Sequence, residues 1–203
     1  MHHWTTKIIL SAIVLFTSIT SHAVIIDTQM YMGHTYHLIG SPGNVGAAPG
    51  GLTWADAENE AVSLGGHLAT INDQAENDWV WNTFSSQAFT ISSFGGLWIG
   101  LNDEALEGTF VWTSGEPVSY TNWNHANPDN FLGQEDYVHL RDAFINADGS
   151  SPDGTWNDIS NAFGDNPLYG VVEIDSVTIP EPTTVALLGL GLAGLGFSRR
   201  KKT

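Results

Sequence analysis

The run from Asn122 to Asp136, Asn-Trp-Asn-His-Ala-Asn-Pro-Asp-Asn-Phe-Leu-Gly-Gln-Glu-Asp, limits what the surrounding chain can become. Pro128 and Gly133 break it, so it suits neither a helix interior nor a central strand. It must be an irregular loop. Asn127, Asp129, Asn130, Glu135 and Asp136 crowd into that loop without one positive residue among them. Such an arrangement repels itself unless a cation sits inside it. Oxygen donors on irregular backbone suit calcium, which takes about six to eight carboxylate, amide and backbone oxygens. Zinc prefers nitrogen or sulfur. Farther along, Trp156-Asn157-Asp158 supplies another amide and carboxylate side by side, and closing the loop against it would complete a coordination shell.

Charge placement narrows the partners. Lys7 lies near the start and Arg199, Arg200, Lys201 and Lys202 at the end, so Arg141 alone faces all 22 acidic residues between Ala23 and Pro182. Nucleic acid is excluded as a partner, because its binding depends on neutralising phosphates with Lys and Arg. An anionic membrane surface is disfavoured for the same reason. Cysteine is absent, so an exported chain lacks the usual extracellular staple. Eight Trp and nine Phe offer a large apolar core in its place.

Met1 to Ala23 reads as a secretory leader, with Lys7, an apolar run from Ile8 to Ile19 and Ser21-His22-Ala23 before a cut. Tyr31 to Ile39 is expected to be a first strand, followed by a solvated Gly- and Pro-rich insertion from Gly40 to Gly51 that lacks the Lys-Ser/Thr ending of a phosphate loop. Thr53 caps a helix whose Trp54, Ala57, Ala61 and Leu64 share a face, and Gly65-Gly66 ends it. Asn72 or Asp73 caps a second helix carrying Trp79, Val80 and Phe84. Short strands follow at Trp98 to Leu101, Phe110 to Thr113, Tyr120 to Trp123, Tyr137 to Leu140 and Tyr169 to Ile174, the last returning beside the first. Asn146 to Gly154 reads as a flexible hairpin loop.

These motifs resemble, in order, the C-type lectin domain: Leu52 to Ala57, Gly65 to Ile71, Trp98 to Leu101, Asn127-Pro128-Asp129, Glu135-Asp136, Trp156-Asn157-Asp158 and Val171 to Ile174. The resemblance covers roughly Tyr31 to Asp175. It implies an α+β fold in which two helices flank short antiparallel sheets and a long loop binds calcium. Where the family commonly pairs cysteines, the register here puts Ala61 with Val172 and Tyr137 with Asn161.

The resemblance also assigns roles. Asn127, Asp129, Glu135, Asn157 and Asp158 would be side-chain ligands of the principal calcium, with Pro128 in the cis form. Asp103 and Glu107 match acidic ligands of an auxiliary calcium site shared with Asn130 and Asp136; the alternative for that stretch is an ordinary polar hairpin turn. Two neighbouring sugar hydroxyls would bind the principal calcium directly, and the same five ligands would bond the sugar through their remaining lone pairs and N–H groups. In the family Glu-Pro-Asn accompanies mannose-type sugars and Gln-Pro-Asp galactose-type ones. Asn127-Pro128-Asp129 has the second order, and Phe131 stands where galactose-type members carry an aromatic against the sugar. Asn127 is one methylene shorter than Gln and reaches the metal either directly or through water.

The tail changes character at Ile179-Pro180-Glu181-Pro182. An apolar stretch from Thr183 to Phe197 precedes the basic end, which follows the positive-inside rule, but about fifteen residues are marginal for a bilayer. The pattern resembles the PEP-CTERM sorting signal of Gram-negative bacteria, whose tail is cut by a membrane exosortase. The expected organisation is therefore a leader at 1–23, a lectin-like domain at 24–178 and a sorting tail at 179–203. An exported protein is implied, anchored transiently in the inner membrane and then placed at the cell surface or outside, with a glycan or exopolysaccharide as partner.

Three other readings compete. Glu135, Asp136 or Asp158 could act as general acid or base, as in glycosidases, but they are better used as metal ligands and no nucleophile with an adjacent base accompanies them. A zinc site from His34, His37, His67, His125 and His139 lacks a helical His pair, so these read as surface or half-buried histidines. A domain that keeps the fold to bind protein or build matrix stays open, since fold does not imply function.

Overall fold

The computed structural model describes residues 22–43, 50–88, 96–141, 154–161 and 168–175. The leader through 21, residues 44–49 of the insertion, the hairpin loop through Asp153 and the sorting tail lie outside the described residues.

The described strands join in one mixed sheet. β1 (Val24–Tyr31), β2 (His34–Gly40), β8 (Tyr169–Ile174), β4 (Gly96–Asn102), β6 (Tyr137–Arg141) and β7 (Thr155–Ile159) follow one another across it. β3 (His67–Leu68) pairs with β8, and β5 (Val111–Trp112) with β4. β4 and β8 run parallel; the other pairs are antiparallel. Two α-helices, α1 (Trp54–Ser63) and α2 (Gln74–Ala88), are present among the described residues.

Both helices start where their side chains can satisfy free N–H groups. Thr53 Oγ1 accepts from Asp56 N at 3.1 Å and donates to the Asp56 carboxylate at 2.8 Å. Asp73 Oδ1 accepts from Glu76 N at 2.9 Å, which assigns the second cap to Asp73. Two glycines set the connection out of α1. Gly65 turns it at φ +87°, and a Cβ on Gly66 would lie 2.1 Å from the Glu173 carbonyl oxygen, so β3 can approach β8 only with glycine there.

Alternation along the strands divides the core between the helices. Leu97, Ile99 and Leu101 pack with Val80, Trp81 and Phe84 of α2, whereas Trp98 packs with Trp54, Ala57 and Ala61 of α1. β4 is buried throughout because it has a helix-side cluster on each face. The positions that the resemblance assigns to cysteines are filled differently. Ala61 and Val172 are fully buried in the α1 cluster, the Tyr137 ring lies tilted 4.6 Å from that of Trp54, and Asn161 accepts hydrogen bonds from Trp54 N and Ala55 N at 3.1 and 3.0 Å. Burying one Trp contributes at most about 4–6 kcal/mol, against about 2–4 kcal/mol for a disulfide. Burial of one such aromatic is thus of the same order as one staple.

Two strand expectations are corrected. Tyr31 to Ile39 is not one strand, because Met32 and Gly33 turn the chain with φ of 49° and 96°; β1 forms a hairpin with β2, and β8 returns beside β2. Tyr120 to Trp123 is no strand either; only Trp123 makes a bridge, to Trp156. That stretch spends its backbone bonds on tying the loop to β7, through Asn124 N to Trp156 O at 2.9 Å and Trp156 N to Asn122 O at 2.8 Å.

Candidate functional site

Trp156 anchors the site from below. It is fully buried, its indole N–H donates to Asn77 Oδ1 at 2.7 Å, and Trp112, Tyr120 and Trp123 meet its ring edge-on at 5.6–5.7 Å. The next two residues of β7 are thereby fixed beneath the loop. The Asn127–Pro128 peptide is cis.

Asp158 organises the loop backbone. Only 1% exposed, it accepts from Asp129 N at 3.1 Å and Asn130 N at 2.9 Å. Asn130 adopts the left-handed conformation that Asn tolerates, and its Oδ1 accepts from Glu135 N at 3.1 Å. Glu135 in turn accepts from Phe131 N at 2.8 Å. These bonds bring carboxylate oxygens of Asp129, Glu135 and Asp158 within 4.8 Å of one another. Phe131 and Leu132 protrude beside them, 62% and 77% exposed.

The electrostatics register this crowding. Partial burial, reinforced by the charges of Asp158 and Asp129, pushes Glu135 up to about 7 from its usual 4.5, despite the hydrogen bond from Phe131 N. Burial also raises Asp103, as do Asp136 and Asp158, against the pull of the Gly108 N–H. One Asp103 oxygen accepts that N–H at 2.7 Å; the other is buried without a hydrogen bond. Asn130 Nδ2 donates to Glu107, and Asp103 N donates to the Asp136 carbonyl at 3.0 Å. Asp103 thus meets Asp136 through the backbone, and Asn130 meets Glu107 through side chains. A buried carboxylate oxygen without a partner is costly.

Asn157 has an environment that spacing did not reveal. Asn127 Nδ2 and Arg141 Nη1 both donate to its Oδ1, the latter at 3.2 Å. Its own Nδ2 donates to the Asp158 carbonyl at 2.9 Å and to His139 Nε2 at 3.3 Å. Both N–H groups of Asn157 are therefore engaged inside the protein, and its oxygen faces Asn127. His139 is buried, correcting its reading as a surface or half-buried histidine. Burial first, then the Arg141 charge, lowers it to about 3, so the neutral ring can accept from Asn157. Strand register holds the signal in hindsight, since His139 pairs with Asn157 and Arg141 with Thr155.

A paired pH measurement isolates Glu135. A carboxyl raised in the folded state gives stability that is present below its ordinary value and lost as pH rises through about 7. His139 works in the opposite sense, losing stability as pH falls below 6.5, so only a difference between variants is clean. In EDTA, Glu135→Gln is expected to gain melting temperature relative to wild type between pH 5 and 8, and a constant gap would contradict the crowding. With calcium the order should reverse, because the metal takes the proton's place.

The Lectin C-type domain profile matches residues 50–162, and a PEP-CTERM protein-sorting motif matches residues 178–201. The alpha-N-acetylgalactosamine-specific lectin of Patiria pectinifera is 39% identical over 134 residues, 64% of this chain and 69% of that protein. Lectin BRA-3 of Megabalanus rosa is 37% identical over 112 residues, 54% of this chain and 59% of that one. Among solved structures, the C-type lectin CEL-I from Cucumaria echinata superposes with a TM-score of 0.55 at 29% identity, covering 73% of this chain and 94% of that one.

Proposed function

We propose that this chain, which belongs to the lectin C-type domain family, is an exported bacterial protein that binds a glycan through a calcium held in the Asn127–Asp158 site. The family consists of carbohydrate-binding proteins, not enzymes, and generally binds calcium. The observation that carries the proposal is the convergence of Asp129, Glu135 and Asp158 within 4.8 Å beside an exposed Phe131.

Asp129, Glu135 and Asp158 would hold the ion, with Asn157 Oδ1 joining when Asn127 Nδ2 releases it. Bound calcium would supply positive charge and open coordination positions for two neighbouring sugar hydroxyls. Asp129 and Glu135 keep lone pairs for those hydroxyls. Asn157 is better used as a metal ligand than as a sugar donor, since His139 and the Asp158 carbonyl take its N–H groups. Arg141 and His139 orient it. Asp103, Glu107, Asn130 and Asp136 would form the auxiliary site. Phe131 offers an aromatic ring to the apolar face of a sugar.

The sugar is proposed to be galactose-type. The order Asn127-Pro128-Asp129 supports this, as does the N-acetylgalactosamine specificity in the name of the Patiria pectinifera relative. The sorting motif implies export with passage through a membrane and exosortase processing. Among the described residues no helix is long and apolar enough to cross a membrane. A leader at 1–23 and release to the cell surface or outside complete the proposal.

The test is retention on immobilised galactose in calcium, elution by EDTA, and loss of retention in Asp129→Ala. Retention indifferent to EDTA or to that substitution would overturn the mechanism, and a glycan array with and without EDTA would identify the preferred saccharide.

A further inference from the structure

At the far end of the β2–β8 pair lies a second convergence of donor atoms. His34 opens β2, Glu173 belongs to β8, and Asp175 follows β8 directly. The register explains their meeting, since Thr35 pairs with Ile174 and Tyr36 with Glu173. His34 Nδ1 is 2.8 Å from Glu173 Oε1 and 3.1 Å from Asp175 Oδ1. All three ligand atoms lie within 4.8 Å of one another.

A protonated histidine bonded to two acids is the simplest alternative, and direction argues against it. Nδ1 is buried and makes no aligned hydrogen bond, although both oxygens are close enough for one. A hydrogen bond requires the acceptor near the N–H axis. Two atoms that share a metal require the opposite. The metal takes the lone-pair axis, and the second ligand falls to one side. At zinc–ligand distances of about 2.1 Å, neighbouring ligands stand roughly 3–3.5 Å apart, close to the separations observed.

Glu173 is prepared for such a role. Its side chain is 5% exposed; Oε2 accepts from Thr70 N at 3.0 Å, and Oε1 lies 3.1 Å from Tyr36 Oη, sharing that hydroxyl's one proton with the nearer Glu76. These bonds fix the carboxylate and leave Oε1 a further lone pair toward His34. Asp175 is 74% exposed and free to close the remaining distance. One imidazole nitrogen with two carboxylates is a donor set for zinc or a similar first-row divalent ion, unlike the oxygen-only loop site.

We propose that His34, Glu173 and Asp175 form a second metal site, selective for a zinc-like ion, that clips the start of β2 to the chain leaving β8. The clip sits immediately before the 178–201 sorting motif, so it would fasten the last strand where the tail departs. It shares no residue with the loop site and does not depend on the carbohydrate proposal.

Calorimetric titration of the full chain with zinc, in excess calcium to fill the loop site, tests it. One zinc is expected, with an absorption-edge spectrum of one imidazole among oxygen ligands. His34→Gln should weaken binding roughly a hundredfold through loss of the nitrogen ligand, while calcium-dependent melting stays unchanged. The exposed Asp175→Asn gives the same reading with little risk to folding. Equal zinc affinity in wild type and both variants, or no zinc binding by the wild type, would overturn the site.

Discussion

Millimolar calcium is expected to raise the melting temperature of this protein by roughly 5–15 °C, and EDTA to remove the gain. An ion that binds only the folded chain contributes about 2.7 kcal/mol at a hundredfold excess over its Kd and about 4.1 kcal/mol at a thousandfold. For a domain of this size each kcal/mol moves the midpoint by about 2–4 °C. The structure gives reason to expect the upper part of that range. Without the ion, three carboxylates stand within 4.8 Å of each other, Glu135 is held near 7 and a buried Asp103 oxygen has no hydrogen bond. Bound calcium would relieve the crowding of the three carboxylates. No disulfide restrains the unfolded chain, so nothing covalent masks the effect. Magnesium should do less, because it demands tighter octahedral geometry and retains its water. Differential scanning calorimetry decides the matter. A midpoint indifferent to calcium would favour a matrix or protein-binding role for the same fold.

The parts of this architecture that were legible in the sequence are those fixed by local chemistry. Thr53 and Asp73 announce their helices because a cap is a short-range hydrogen bond. The Trp98 to Leu101 run announces a doubly buried strand because both faces of β4 need apolar residues. The family likeness was legible because its motifs keep their order. What stayed hidden depends on partners distant in sequence. Met32-Gly33 carries a weak turn signal, so the sequence suggests a single strand from Tyr31 to Ile39 and leaves β1 unmarked. Glu76 and Asn77 are buried polar residues on α2, and no apolar periodicity marks them. Glu76 accepts from Tyr36 Oη at 2.5 Å and Asn77 bonds Trp156, so both serve the sheet rather than the helix.

The site divides in the same way. Its carboxylates could be picked out as hard ligands from residue type, and the structure brings Asp129, Glu135 and Asp158 together. The support beneath them could not be read. His139 and Arg141 reach Asn157 only through the pairing of β6 with β7, and the same pairing takes up the Asn157 N–H groups. His34, weighed only against other histidines, meets Glu173 and Asp175 because β2 and β8 end together.

The most damaging single change should be Asp158→Asn. Its two oxygens accept from Asp129 N and Asn130 N, so the carboxylate shapes the loop as well as facing the other two acids. An amide of the same shape turns one acceptor into a donor aimed at backbone N–H groups, and it removes a charge from the metal's surroundings. Losing hydrogen bonds to a charged buried partner costs about 1.5–3 kcal/mol, and the lost charge weakens calcium further. Calcium affinity is therefore expected to fall by roughly a hundredfold or more, with galactose retention and the calcium-dependent melting gain disappearing together. The core should survive, because Trp156 and Ile159 on either side stay buried among apolar neighbours. Removing one acid also relieves its neighbour, so Glu135 should titrate lower in the variant than in the parent. Asp78→Asn, on the exposed side of α2, removes the same formal charge away from the loop. If that control weakened calcium as much as Asp158→Asn, the effect would belong to net charge and not to a shaped coordination site.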